Sequence, residues 1–84
     1  MADTIIFYGT SWCSDCRRAK QFLEEHHIPF DEIDIDRDLE AASVVRKLNG
    51  GNRSVPTLVF PDGSILVEPR NVELAEKLGI AVGG

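Results

Sequence analysis

An apolar, β-branched run, Thr4–Tyr8, and a run of alternating character, Phe30–Ile35, bracket a segment of helical periodicity, and that order decides most of what the chain can become. Thr4-Ile5-Ile6-Phe7-Tyr8 stops at Gly9 and reads as a buried strand. Ser14 to His27 reads as a helix, with Cys16, Ala19, Phe22, Leu23 and His26 recurring as its inward stripe. Pro29 closes it, because proline disfavours helical geometry at the residue before it. Phe30–Ile35 has a loose period of two and reads as a second strand. Strands joined through a helix run parallel.

The remaining residues extend the pattern. Asp36 or Asp38 is placed to cap a second helix, whose apolar face is Leu39, Ala42, Val45 and Leu48 with Val44. Gly50 and Gly51, after Asn49, stop it, since glycine supplies the left-handed backbone that helix ends use. Thr57–Phe60 and Ser64–Val67 flank Pro61-Asp62-Gly63, and Asp-Gly between apolar runs marks a hairpin. Asn71 caps a last helix, Val72–Leu78, that stops at Gly79. The order β-α-β-α-β-β-α predicts an α/β fold: a four-stranded mixed sheet flanked by three helices, in one domain over residues 1–84.

Charge and composition narrow the function. A net charge of −5 argues against general nucleic-acid binding, which needs a basic surface. No apolar stretch approaches a membrane span, and Met1-Ala2-Asp3 has neither a basic nor an apolar leader, so a cytoplasmic protein is expected. Arg17, Arg18 and Lys20 form a basic cluster, while Asp31, Glu32, Asp34, Asp36, Asp38 and Glu40 crowd a later segment. Either run reads first as a solvated face; the basic one lies beside the cysteines.

Cys13 and Cys16 are the only cysteines, and in a reducing compartment such a pair is catalytic or metal-binding before it is structural. Cys13 falls between the first strand and the mouth of the first helix. Backbone N–H groups there point at the sulfur and favour the thiolate, the nucleophile of thiol–disulfide exchange. Cys16, one turn on, is placed to resolve a disulfide on Cys13, or else is a plain core residue of the stripe. No metal is expected. His26 and His27 are adjacent, where zinc Cys₂His₂ sites space their histidines about three to five residues apart. They also lie about three turns from Cys13, ~15 Å or more along a helix.

Three segments resemble the thioredoxin superfamily, and within it the glutaredoxins and the small bacterial mycoredoxins. They are Thr10-Ser11-Trp12-Cys13 with Cys16, Asn49-Gly50-Gly51-Asn52-Arg53 leading to Val55-Pro56-Thr57, and Asp62-Gly63-Ser64. The resemblance implies a thioredoxin-like (glutaredoxin) fold and a thiol–disulfide oxidoreductase. It would hold no tightly bound cofactor and use a low-molecular-weight thiol, mycothiol or glutathione, as co-substrate. Implied partners are protein disulfides or thiolated proteins, with a flavoprotein disulfide reductase as the alternative electron source for a dithiol donor. The resemblance also implies a cis Val55–Pro56 bond and a Val55 backbone that pairs with the bound thiol substrate. A redox-sensing binding module is a further reading, and a monomer is the default.

The departures from the family pattern are specific. Ser14-Asp15 replaces the Pro-Tyr or Gly-Tyr common between the cysteines, and a carboxylate there should disfavour a neighbouring thiolate. Thr10 stands where many glutaredoxins have a lysine for a glutathione carboxylate. Val67-Glu68-Pro69-Arg70-Asn71 replaces the Gly-Gly and acidic residues that receive its glutamyl end. Trp12 is either a half-exposed landing surface for the partner or ordinary packing over the motif. Arg53 either meets a substrate carboxylate or phosphate-like oxygen or is simply solvated. Tyr8 reads as core.

Overall fold

The computed structural model describes residues 4–80; residues 1–3, on which the leader expectation rests, and residues 81–84 lie outside it. The elements run β1 (Ile5–Gly9), α1 (Ser14–Glu25), β2 (Phe30–Asp34), α2 (Leu39–Leu48), β3 (Thr57–Val59), β4 (Ile65–Val67) and α3 (Asn71–Leu78). The strands form one mixed sheet in the order β2-β1-β3-β4. β1 pairs parallel with β2 from Ile5↔Phe30 to Gly9↔Asp34, and antiparallel with β3 through Tyr8↔Thr57.

Alternation along β1 divides the core. Ile5 and Phe7 face α1 and α3, packing with Ala19, Phe22, Leu23, Leu58, Leu74 and Ala75. Tyr8 faces α2 on the other side, with Ile35, Ala41, Ala42 and Val45. The register sends the ends of β1 and β2 and the start of β3 to one end of the sheet. With the end of β4 paired to the start of β3 through Thr57↔Val67, four loops meet there: β1–α1, β2–α2, α2–β3 and β4–α3.

Four sequence expectations for the helices are corrected, three in bounds and faces and one in a cap. α1 ends at Glu25, not His27. Ile28 N–H donates to Leu23 O at 2.8 Å and His27 N–H to Glu24 O at 3.1 Å, with His27 at φ 56. This paired closure stops the helix before Pro29 is reached. His26 is consequently exposed rather than inward, its ring against Phe22 with centroids 4.4 Å apart. The buried face of α2 is Ala41, Ala42 and Val45; Leu39 is 81% exposed, and Val44 and Leu48 are exposed as well. Both stripes satisfy helical spacing, and the small alanines are the ones that let α2 approach the sheet.

The caps follow local chemistry. Asp38, not Asp36, caps α2, accepting Ala41 N–H at 3.0 Å. Arg70, not Asn71, is the N-cap of α3, with Glu73 accepting Arg70 N–H at 2.8 Å. The predicted turn residues sit where the backbone turns: Gly50, Gly51 and Gly63 all have positive φ. Asp62 accepts Ser64 N–H at 2.9 Å in the hairpin loop and Lys77 Nζ at 2.6 Å from α3.

Candidate active site

Cys13 is the N-cap of α1, with extended backbone (φ −83, ψ 117), and its sulfur does what a capping oxygen ordinarily does. Cys16 N–H donates to Cys13 Sγ at 3.2 Å. An unpaired N–H of the first helical turn and the positive end of the helix dipole thus both face this sulfur. On its far side Cys13 Sγ lies 3.8 Å from the Val55 carbonyl oxygen. The Val55–Pro56 bond is cis, as the resemblance implied.

Cys13 is only 8% exposed, less than an open corner would give, because it forms the floor of a cleft of about 450 Å³. Trp12, Ser14, Asp15, Arg53, Ser54, Val55 and Glu68 make the walls. Of the residues the sequence singled out, the structure thus gathers Trp12, Cys13, Arg53 and Val55 at one cleft. Pro56 is buried beside it, Cys16 lies beneath, and the turn residues Asp62 and Gly63 are not among those that line it.

Cys16 is 1% exposed and packed into the core. A Cβ added at Gly9 would lie 2.9 Å from Phe7 Cε1 and 3.0 Å from the Cys16 sulfur, so the Phe7 ring and that sulfur fill the space a side chain would need. Burial pushes the Cys16 thiol up to about 12, the adjacent Cys13 sulfur adds to this, and a backbone hydrogen bond from Thr10 opposes it.

The predicted basic cluster is turned to other work. Arg18 donates to Asn71 Oδ1 at 2.8 Å and to the Pro69 carbonyl at 3.0 Å, tying α1 to the start of α3. Lys20 pairs with Glu32 at 2.8 Å. The Asp15 side chain is 55% exposed and 3.7 Å from Arg18, so solvent and an opposite charge moderate its field at Cys13.

Trp12 is 66% exposed, well beyond half, but it is not loose. Its Nε1 donates to Asp36 Oδ2 at 2.7 Å, and Arg53 Nη2 donates to Asp36 Oδ1 at 2.7 Å. Arg53 is therefore neither free nor simply solvated. Sequence reasoning missed Asp36 here, having placed it as a possible cap, and it missed Glu68. Asp36 reaches Trp12 across 24 positions of chain, a separation that leaves no local signal. Glu68 is brought to the cleft at φ 48, with its N–H on the Pro56 carbonyl at 2.8 Å.

A thioredoxin-like sheet with a Cys-x-x-Cys pair opening its first helix, facing a cis-proline turn, is the architecture of a thiol redox protein. Comparison with known proteins makes the class narrower. The glutaredoxin family model matches residues 5–65. A Mycobacterium tuberculosis (strain H37Rv) protein bearing a glutaredoxin name is 46% identical over 88% of this chain and 88% of its own length. Mycoredoxin 1 of Corynebacterium glutamicum is 36% identical over 88% of this chain and 91% of its own. Among solved structures, the glutaredoxin-like NrdH-redoxin of Escherichia coli superposes with a TM-score of 0.76 at 26% identity, covering 94% of this chain and 99% of that one. The chain belongs to the glutaredoxin family, with mycoredoxin-like relatives.

Proposed function

We propose that this protein reduces protein disulfides, or mixed disulfides between proteins and a small thiol, through Cys13 and Cys16. One observation carries the reading: the Cys13 sulfur caps α1, takes the Cys16 N–H at 3.2 Å and forms the floor of a cleft. A backbone N–H and the start of a helix thus face that sulfur where a substrate can reach it. In the first step the Cys13 thiolate attacks the small-thiol sulfur of the mixed disulfide. A Cys13–small-thiol disulfide forms and the protein leaves as its thiolate.

The intermediate resolves in one of two ways. A second small-thiol anion attacks, releasing the small disulfide and the Cys13 thiolate. Otherwise Cys16, once it has given up its proton, attacks Cys13 and expels the small thiol. The elevated Cys16 value favours the first route near neutral pH, because so little of that thiol is ionised. Mycothiol or glutathione is the co-substrate on this reading, with no tightly bound cofactor. Trp12, Arg53 and Val55 form the wall that the substrate meets, and the buried Pro56 backs Val55. The Val55 backbone carbonyl beside the sulfur is placed to pair with an extended substrate. The whole chain acts as one cytoplasmic domain; among the described residues no helix is long and apolar enough to cross a membrane.

A second reading has one specific support. The E. coli NrdH-redoxin is described as having a thioredoxin-like activity profile. On that reading the chain is a dithiol donor reduced by a flavoprotein disulfide reductase, and Cys16 is indispensable. The cysteine variants test both. Cys13→Ser abolishes reduction of a thiolated protein on either reading. Cys16→Ser retains part of the activity if the small thiol resolves the intermediate and loses all of it in a dithiol donor. Full activity in Cys13→Ser would sink both.

A further inference from the structure

Asp36 stands between two residues of the cleft wall, and both of them can only donate. The Trp12 indole offers one N–H and the Arg53 guanidinium offers five, with no acceptor on either. Asp36 meets them with its two carboxylate oxygens, each bond at 2.7 Å. Its own position is set by β2, since Asp36 N–H donates to Asp34 Oδ1 at 2.9 Å. The Arg53 hydrogen bond first, and the Trp12 bond second, hold the Asp36 carboxyl below the usual carboxylate range, so the charge persists at physiological pH.

The charges around the cleft then add up in one direction. Among the described residues Arg53 is the only cation lining it, and its charge is balanced by Asp36. Asp15, with Arg18 3.7 Å away, and Glu68 are carboxylates on the same walls. Among the lining side chains an approaching anion finds no net positive charge, although an arginine is present.

We infer that Asp36 is a specificity-determining residue: it masks Arg53 from anionic disulfides and fixes the Trp12 ring, so that the cleft favours uncharged substrates. This deepens the proposed function and rests on it. Asp36 acts through Arg53 and Trp12 and not on the reacting sulfurs. The chemical step is unchanged by it: Cys13 thiolate attacks a disulfide, one sulfur joins Cys13, and the other leaves as a thiolate.

The test compares two disulfides of different charge with the reduced full-length protein. Bis(2-hydroxyethyl) disulfide is uncharged and oxidised glutathione is anionic; the rate at which each is consumed is measured. Asp36→Ala removes both acceptors. Asp36→Asn keeps one acceptor and removes the charge. Asp36→Glu keeps both, and serves as the conservative rescue. The ratio of anionic to uncharged rates rises about twofold to fivefold in the Ala and Asn variants, the range an exposed ion pair supplies, and stays near wild type in Glu. In an Arg53→Ala background, Asp36→Ala no longer raises it. Steady-state fluorescence anisotropy of Trp12, the sole tryptophan, falls in Asp36→Ala and recovers in Asp36→Glu.

A reactive wild type whose ratio does not move in the variants overturns this inference alone. So does a gain that survives undiminished without Arg53, or a parallel fall of both rates. A wild type inert to both disulfides overturns the exchange reading, and this inference with it.

Discussion

Burial pushes the Cys16 thiol from an ordinary 9.0 to about 12, while Cys13, three residues earlier, opens onto the cleft. A limiting amount of iodoacetamide near neutral pH therefore adds one carbamidomethyl group per native molecule, on Cys13, and reaches Cys16 only after unfolding. Peptide mass spectrometry reads this directly, and a doubly labelled native protein would contradict it. The same burial couples Cys16 to stability. A thiol with a raised folded pKa binds its proton more tightly when folded, so its contribution is complete below pH 9.0 and is lost as pH climbs toward 12. Urea unfolding at mildly and strongly alkaline pH should show reduced wild type losing stability that Cys16→Ala does not lose. Gly9 is the other residue on which this pocket depends. Gly9→Ala drives a methyl into Phe7 and the Cys16 sulfur, both buried, and should cost about 1–3 kcal/mol as an overpacked core site.

Helix α2 shows how two aspartates two positions apart divide their labour. Asp38 caps the helix through Ala41 N–H, so Asp38→Ala should lower stability by about 1 kcal/mol in urea unfolding. Asp36 contacts only exposed partners, so Asp36→Ala should cost less than Asp38→Ala while changing the cleft. A reversed order would mean that Asp36 is a structural residue. The elements themselves were readable from the sequence because each carries its own punctuation: Gly9 after β1, Gly50 and Gly51 after α2, Asp62-Gly63 in the hairpin, Gly79 after α3. The phase of α2 was not. Leu39-Ala42-Val45-Leu48 and Ala41-Ala42-Val45 share Ala42 and Val45 and both satisfy helical spacing, and the sheet face that selects Ala41 over Leu39 and Leu48 is built from residues far away in sequence. The end of α1 was misplaced because the stop is a backbone closure through a left-handed histidine, a conformation His27 does not announce.

At the scale of the whole molecule, the site exists because parallel β1–β2 and antiparallel β1–β3 and β3–β4 pairing bring four loops to one end of the sheet. The cysteines and the Val55–Pro56 turn were legible, since each is a local motif beside a strand. The Asp36 bridge and Glu68 were not, since they depend on loops meeting in space. The same topology bears on oligomeric state. Both sheet edges are unpaired among the described residues, yet β2 carries Asp31 and Glu32 on its edge and β4 is three residues long. Short or charged edges resist strand-to-strand pairing, and two copies at −5 repel each other at low salt. Cys13 lies in the floor of its cleft with Cys16 one turn away, so oxidation should close a bond within one molecule before it joins two. Sedimentation is expected to give a single 9.3 kDa species in low and high salt, whether reduced or oxidised. A dimer that vanishes with dithiothreitol would place Cys13 outside the shelter of the cleft. A dimer indifferent to reductant but strengthened by salt would instead put the contact on the exposed Ile65 and Val67 of β4.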